Sequence, residues 1–191
     1  MTPSQALELV RERRVLPFAS FVEAVAGEPV KGSWWGHAKG HEIFNLAGHV
    51  SKECVFVRLV GRKETLLHES LYPAFARVVL DEAWRAPRVR GLSREAAAIL
   101  RLVEGGTTRM DEIAKKRKKK ASALRKPRHE LQEALLVHST EIHTDRGHHV
   151  AVLVPWSDWA RPVQKAARKL TLDAALAELR AACGAGPTAL D

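Results

Sequence analysis

Gly32-Ser33-Trp34-Trp35-Gly36-His37-Ala38-Lys39-Gly40-His41-Glu42-Ile43-Phe44 is the stretch on which the reading of the fold turns. Two adjacent tryptophans, two histidines, a lysine and a carboxylate are interleaved with glycines, a mixture that core packing alone does not require. Ser33 is a good N-cap, and the residues after it predict a helix over 34–50. At 3.6 residues per turn, Trp34, His37 and His41 fall on one stripe, and Trp35, Lys39 and Glu42 on its neighbour. Gly36 and Gly40 would then lie side by side. Each costs a helix up to about 1 kcal/mol against alanine, which points to close approach of another backbone. Two assignments stay open. In the plainer one Trp34, Ile43, Phe44 and Leu46 are core and the polar residues face water. In the other, the helix presents a nucleic-acid or catalytic surface.

Working outward, residues 4–16 and 20–26 read as two helices with a turn at Pro17 between them, and Gly27-Glu28-Pro29 ends the second. Downstream, residues 54–60 are β-branched and aromatic, Gly61-Arg62-Lys63 is a turn, and 64–69 return as a second strand. Helix, helix, helix, hairpin is the order of a winged helix-turn-helix. The glycine-tryptophan helix takes the third, recognition position, and Arg62 and Lys63 sit at the wing tip. Residues 71–84 predict a further helix with Pro73 in its first turn. Arg85-Ala86-Pro87-Arg88-Val89-Arg90-Gly91 reads as the module boundary.

The second half repeats the order. A helix over 93–104 ends at Gly105-Gly106, a short one begins at Thr107 or Thr108, and a third lies within 121–136, bent or restarted at Pro127. Residues 136–143 and 148–155 form a hairpin about Thr144-Asp145-Arg146-Gly147, whose end Trp156 and Trp159 clamp. A closing amphipathic helix covers 174–183, and the tail from Gly184 is expected to fray. The expected fold is mainly α with small β-hairpins (α+β). It comprises two tandem winged helix-turn-helix modules (1–85 and 86–160) and a C-terminal helix and tail (161–191).

Charge points to the partner. Lysine and arginine number 31 against 22 acidic residues, a net charge of +9, with a pI near 9.9. That balance suits a polyanion, here double-stranded DNA, less often an anionic membrane. Lys115-Lys116-Arg117-Lys118-Lys119-Lys120 falls between the second and third helices of the second module, where a helix-turn-helix lies against the phosphate backbone. Arg125, Lys126, Arg128 and His129 continue the basic face. Phosphate contacts would make affinity fall steeply with salt, while Arg125 or Arg128 could read guanine edges. A solvated basic loop, or a localisation-like tract, is the alternative.

The first module offers different chemistry. Trp34 and Trp35 suit stacking on an unpaired or extruded base. His37, His41 and Glu42 are the candidate catalytic groups, and Lys39 would take the flanking phosphate. A plain helix hydrogen bond explains a His–Glu pair equally well. His143 and His148 would face each other near the second wing tip, with His149 opposite and His138 further down. A closed zinc site wants four ligands, so contact with phosphate beside Arg146 is the expected role rather than a metal. Cys54 and Cys183 suggest neither a disulfide framework nor a metal cluster. No cofactor is expected. No apolar run approaches bilayer length, and Met1-Thr2-Pro3-Ser4 leads into an amphipathic helix rather than a signal peptide. Frequent Ala, Arg, Gly, Leu and Val suggest a GC-rich bacterial genome. A cytoplasmic, nucleoid-associated protein of unspecified oligomeric state is expected.

Gly32-Ser33-Trp34-Trp35-Gly36-His37, with Lys39-Gly40 and Val154-Pro155-Trp156, resembles a group of uncharacterised bacterial proteins of about this size, a likeness that implies no activity. The tandem layout, with tryptophan and histidine on an early helix, also resembles the AlkZ-type winged-helix DNA glycosylases, which remove alkylated or crosslinked bases. That family's Gln-x-Gln or Gln-x-Asp signature does not occur, since Gln5, Gln132 and Gln164 each lack the second member. No catalytic residue is therefore carried over. The expected function is binding of modified or damaged duplex DNA with glycosylase-like base excision. The alternatives are a non-enzymatic transcriptional regulator and an interaction module docking a protein through Trp34 and Trp35.

Overall fold

The computed structural model describes residues 1–143 and 149–191. These residues form two compact units, one of residues 1–72 with 176–191 and one of residues 73–175. Helices dominate, with one small antiparallel sheet in each unit.

Unit one begins with α1 (Pro3–Arg13). Thr2 and Gln5 close a capping box around its first turn, with bonds of 2.8 and 3.2 Å, and Pro3 sits where its missing N–H costs nothing. A three-residue strand follows, β1 (Val15–Pro17), where the sequence predicts that the first helix runs on to Leu16 and turns at Pro17. Then come α2 (Phe18–Ala26), α3 (Gly40–Val50), β2 (Cys54–Arg58) and β3 (Glu64–His68). β1 pairs antiparallel with β3, Val15 opposite Leu67 and Pro17 opposite Thr65. The sheet order is β1-β3-β2. Pro17 is tolerated because β1 is an edge strand. Phe21, Val22, Ile43, Leu46, Val50 and Leu66 are among the residues of the core that the three helices and the sheet enclose.

The helix expected over 34–50 is broken. Trp34–Gly36 form a 3-10 turn, His37 is extended, and α3 starts only at Gly40. Ser33 makes no side-chain cap. Gly40 explains the break: a Cβ there would lie 3.0 Å from the Trp35 carbonyl oxygen and 3.1 Å from that of Trp34. The turn sits directly on the start of α3, and glycine alone leaves it room. The two stripes read from a continuous helix therefore do not form, nor does a Gly36–Gly40 patch.

Unit two contains α4 (Tyr72–Val79, its first residue belonging to unit one) and α5 (Glu82–Arg90). The single helix predicted over 71–84 is thus two, and the stretch read as a boundary is helical. Asp81 caps α5 through the Trp84 amide at 3.0 Å. Arg88 holds its guanidinium 3.5 Å over the Trp84 ring, bracing α5 across Pro87. There follow α6 (Arg94–Glu104), β4 (Thr108–Arg109), α7 (Met110–Arg117), a 3-10 turn at Ala121–Leu124 and α8 (Arg125–Glu133). The hairpin is β5 (Val137–His143) and β6 (His149–Pro155). β4 pairs with β6, Thr108 opposite Leu153, giving the order β4-β6-β5. Ile99, Val103, Ile113, Leu124, Leu131 and Leu153 are among the core residues here. α9 (Trp156–Trp159) turns off the end of β6. The Trp156 indole donates to the Leu135 carbonyl at 2.8 Å, while the rings of Phe75 and Trp159 meet it edge-on. Of the two tryptophans expected to clamp the hairpin, Trp156 closes its base, against Leu135 and His138, while Trp159 packs on Trp156 and Phe75. α10 (Gln164–Ala167) and α11 (Leu172–Cys183) complete the helices.

The tail beyond α11 is ordered into unit one rather than frayed. Thr188 forms an antiparallel bridge with Val60, Ala189 donates to Leu59 and Gly61 to Pro187, both at 2.8 Å, and Leu190 is buried.

Candidate nucleic-acid interface

The two units differ in charge. Unit one holds ten lysines and arginines against ten acidic residues; unit two holds twenty-one against twelve and so carries the entire net +9. By net charge, unit two is the part of the chain that suits a polyanion.

Within it, the basic run spans the end of α7 and the link to α8. Lys118 turns the chain in the left-handed region, φ 51°. Arg117 and Lys119 are drawn back onto Glu95 at the start of α6, with Arg117 Nε 3.0 Å and Lys119 Nζ 2.6 Å from its oxygens. The two cations hold the Glu95 carboxyl down at about 2. Lys115, Lys116, Lys118, Lys120, Arg125 and Lys126 are exposed and make no ion pair with a described residue. Ala121, Ser122 and Ala123, also exposed, add little bulk before α8.

The first turn of α8 carries Arg125 and Lys126 and no acid. Cations at the positive end of a helix dipole are unfavourable unless an anion joins them. Glu130 anchors the helix from its other side, accepting from the Ser93 amide at 2.5 Å and the Ser93 hydroxyl at 2.6 Å. Arg128 is less available than the sequence suggested. It is half-buried, with Nη2 3.4 Å from His129 Nε2. At the hairpin, His149 Nδ1 lies 3.6 Å from Glu141 and His138 is largely buried. Arg146 and His148, and the side chain of His143, lie outside the described residues.

Unit one does not assemble the expected catalytic set. His37 Nδ1 accepts from the Lys39 amide at 3.1 Å, which leaves Nε2 to carry the proton toward Glu28, also at 3.1 Å. Both ring nitrogens serve the loop. Lys39 Nζ donates to the Ala26 and Val25 carbonyls at 2.9 and 3.2 Å, capping the C-terminus of α2 instead of awaiting a phosphate. Glu42 is held below the usual carboxylate range, chiefly by its hydrogen bond from the Met1 ammonium at 2.9 Å. His41 is exposed, and no hydrogen bond joins it to His37 or Glu42. The loop containing Arg62 and Lys63, expected at a free wing tip, is pinned by the tail through Gly61.

What unit one does present is aromatic. Trp35 stacks on Trp34 with centroids 4.2 Å apart, and Phe44 lies 5.3 Å from Trp35. Trp35 is 61 % exposed and Phe44 46 %. Phe44 was a core residue in the plainer reading. Ile43, Leu46, Ala47 and Val50, spaced i, i+3, i+4 and i+7, form the buried stripe of α3 and leave Phe44 off it.

Glu53, His68 and Glu69 bring possible ligand atoms within 4.8 Å of one another. Arg11 already takes both Glu53 oxygens, at 2.7 and 2.5 Å, so the group works as an ion-pair network joining α1 to the hairpin. Among the described residues no helix is long and apolar enough to cross a membrane. Neither the family models, nor the curated proteins, nor the solved structures provide a match to this chain.

Proposed function

We propose that this protein is a tandem winged-helix protein of the bacterial cytoplasm that binds double-stranded DNA through unit two and acts there without catalysis, as a regulator or architectural factor. The topology supports the fold. A short strand, β1 after α1 in unit one and β4 after α6 in unit two, pairs with the second strand of the hairpin, in the orders β1-β3-β2 and β4-β6-β5. That is the arrangement in which a third helix is offered to the major groove. The observation that carries the function is the confinement of the whole net charge to unit two, with six exposed cations around the start of α8, the third helix of the run α6, α7, α8.

α8 would enter the groove with Arg125 and Lys126 leading, and Lys115, Lys116, Lys118 and Lys120 would lie on phosphates. The test is duplex binding by the full chain and by a Lys116→Ala, Lys118→Ala, Lys120→Ala variant. The triple variant should bind markedly more weakly at unchanged thermal stability; equal affinity would refute the assignment.

A second reading, base handling in DNA repair, is favoured by one feature, the exposed Trp35 stacked on Trp34 with Phe44 beside it. Its test is alkali-revealed strand breakage on duplexes carrying uracil, alkylated, hydroxymethylated or glucosylated bases. Breaks at one modified base would displace the non-enzymatic reading.

A further inference from the structure

Unit one contains a concavity that duplex binding by unit two leaves unused. It is about 520 Å³, within the range of small-molecule sites. Phe18, Val22, Val30 and Trp34 supply its apolar surface, and Glu23, Lys63 and Glu64 stand among its lining.

Its walls are fixed before any ligand arrives. Phe18 is held edge-on by Trp34 at 5.8 Å and by Phe56 at 5.4 Å. The hairpin turn is closed by buried Thr65, whose hydroxyl accepts from the Val60 amide at 3.1 Å and donates to the Lys63 carbonyl at 2.9 Å. Outside that turn the tail adds the Gly61–Pro187 and Ala189–Leu59 hydrogen bonds. Little conformational entropy is left to lose on binding.

The charge of the lining selects the ligand. Glu23 and Glu64 make no ion pair with a described residue, nor does Lys63, so the groove holds one excess negative charge. Phe18 and Trp34 add aromatic rings to the lining.

We infer that this groove binds a lipophilic organic cation, with Phe18 and Trp34 against its apolar body and Glu23 and Glu64 around its charge. The inference does not depend on DNA binding by unit two.

Calorimetric titration of the full chain tests it, with tetraphenylphosphonium as the cationic probe and neutral triphenylphosphine oxide as the control. The phosphonium should bind at one site, roughly tenfold or more tighter than the oxide. Glu23→Gln with Glu64→Gln should remove that preference and leave oxide binding unchanged. Ala19→Trp, at an exposed position of the lining, should abolish binding of both probes without lowering the melting temperature. Absence of phosphonium binding, equal affinity for the two probes, or full binding by the folded Ala19→Trp protein would each overturn the inference.

Discussion

Lys119 reaches back to Glu95, its Nζ 2.6 Å from the carboxylate, and Arg117 donates to the same group at 3.0 and 3.3 Å. One acid at the start of α6 therefore restrains two of the six cations in the basic run.

Removing that acid has two consequences. The Glu95 carboxyl sits at about 2 in the folded protein and would titrate near 4.5 in the unfolded chain. Its stabilisation is complete above about pH 4.5 and disappears as pH falls toward 2. Urea midpoints measured across that window should fall less steeply for Glu95→Gln than for the parent. The same variant releases Arg117 and Lys119 to phosphate, so duplex affinity should rise and the salt dependence steepen. Unchanged DNA binding would mean that both cations already leave Glu95 in the complex.

Lys39 gives the opposite pattern. Its ammonium satisfies the last carbonyls of α2, so Lys39→Met should lower stability by about 1 kcal/mol. Duplex affinity should not change. A loss of DNA binding at full stability would return Lys39 to the interface.

His138 supplies a pH signature in unit two. Burial pushes its imidazole down to about 4, and its Nδ1 is enclosed without a hydrogen-bond partner. The folded protein keeps this ring neutral while the unfolded chain takes up a proton near pH 6.5. The stability at stake is present above pH 6.5 and is lost progressively down to about 4, on the order of 3 kcal/mol. His138→Phe, able to pack on Trp156, should flatten stability between those pH values. An unaltered profile would show that the ring is hydrated.

The tail makes a fourth case. Deleting residues 186–191 removes the strand bridge to Val60 and the buried Ala189 and Leu190 side chains. A loss of about 2–4 kcal/mol in denaturant unfolding is expected. Stability equal to the full chain would mark the tail as dispensable.

These cases also show where the sequence was readable. Helix, helix, helix, hairpin was legible twice, because apolar periodicity and Gly or Pro punctuation are local signals. β1 was not, since a three-residue strand acquires its identity only from β3, some fifty residues on. The break before α3 was missed because Gly36 and Gly40 satisfy helical spacing as well as a turn. Only the carbonyls packed against Gly40 decide between them.

The basic run was visible as composition, but its partition was not. Glu95 lies more than twenty residues from its two partners, and nothing in their spacing announces the contact. The candidate catalytic set failed for a related reason. His37, Lys39 and Glu42 are close in sequence, yet their partners Glu28, the end of α2 and Met1 are supplied by other segments.

The most direct measurement is fluorescence anisotropy of a labelled duplex titrated with the full chain over a range of salt. With four phosphate contacts, log K should fall with log salt at a slope of about −3.6. A variant carrying Lys118→Ala, Lys120→Ala, Arg125→Ala and Lys126→Ala should retain a slope of only about −2, whereas Trp35→Ala with Phe44→Ala should match the parent. A parent slope near zero, or a quadruple variant indistinguishable from the parent, would contradict DNA binding through unit two.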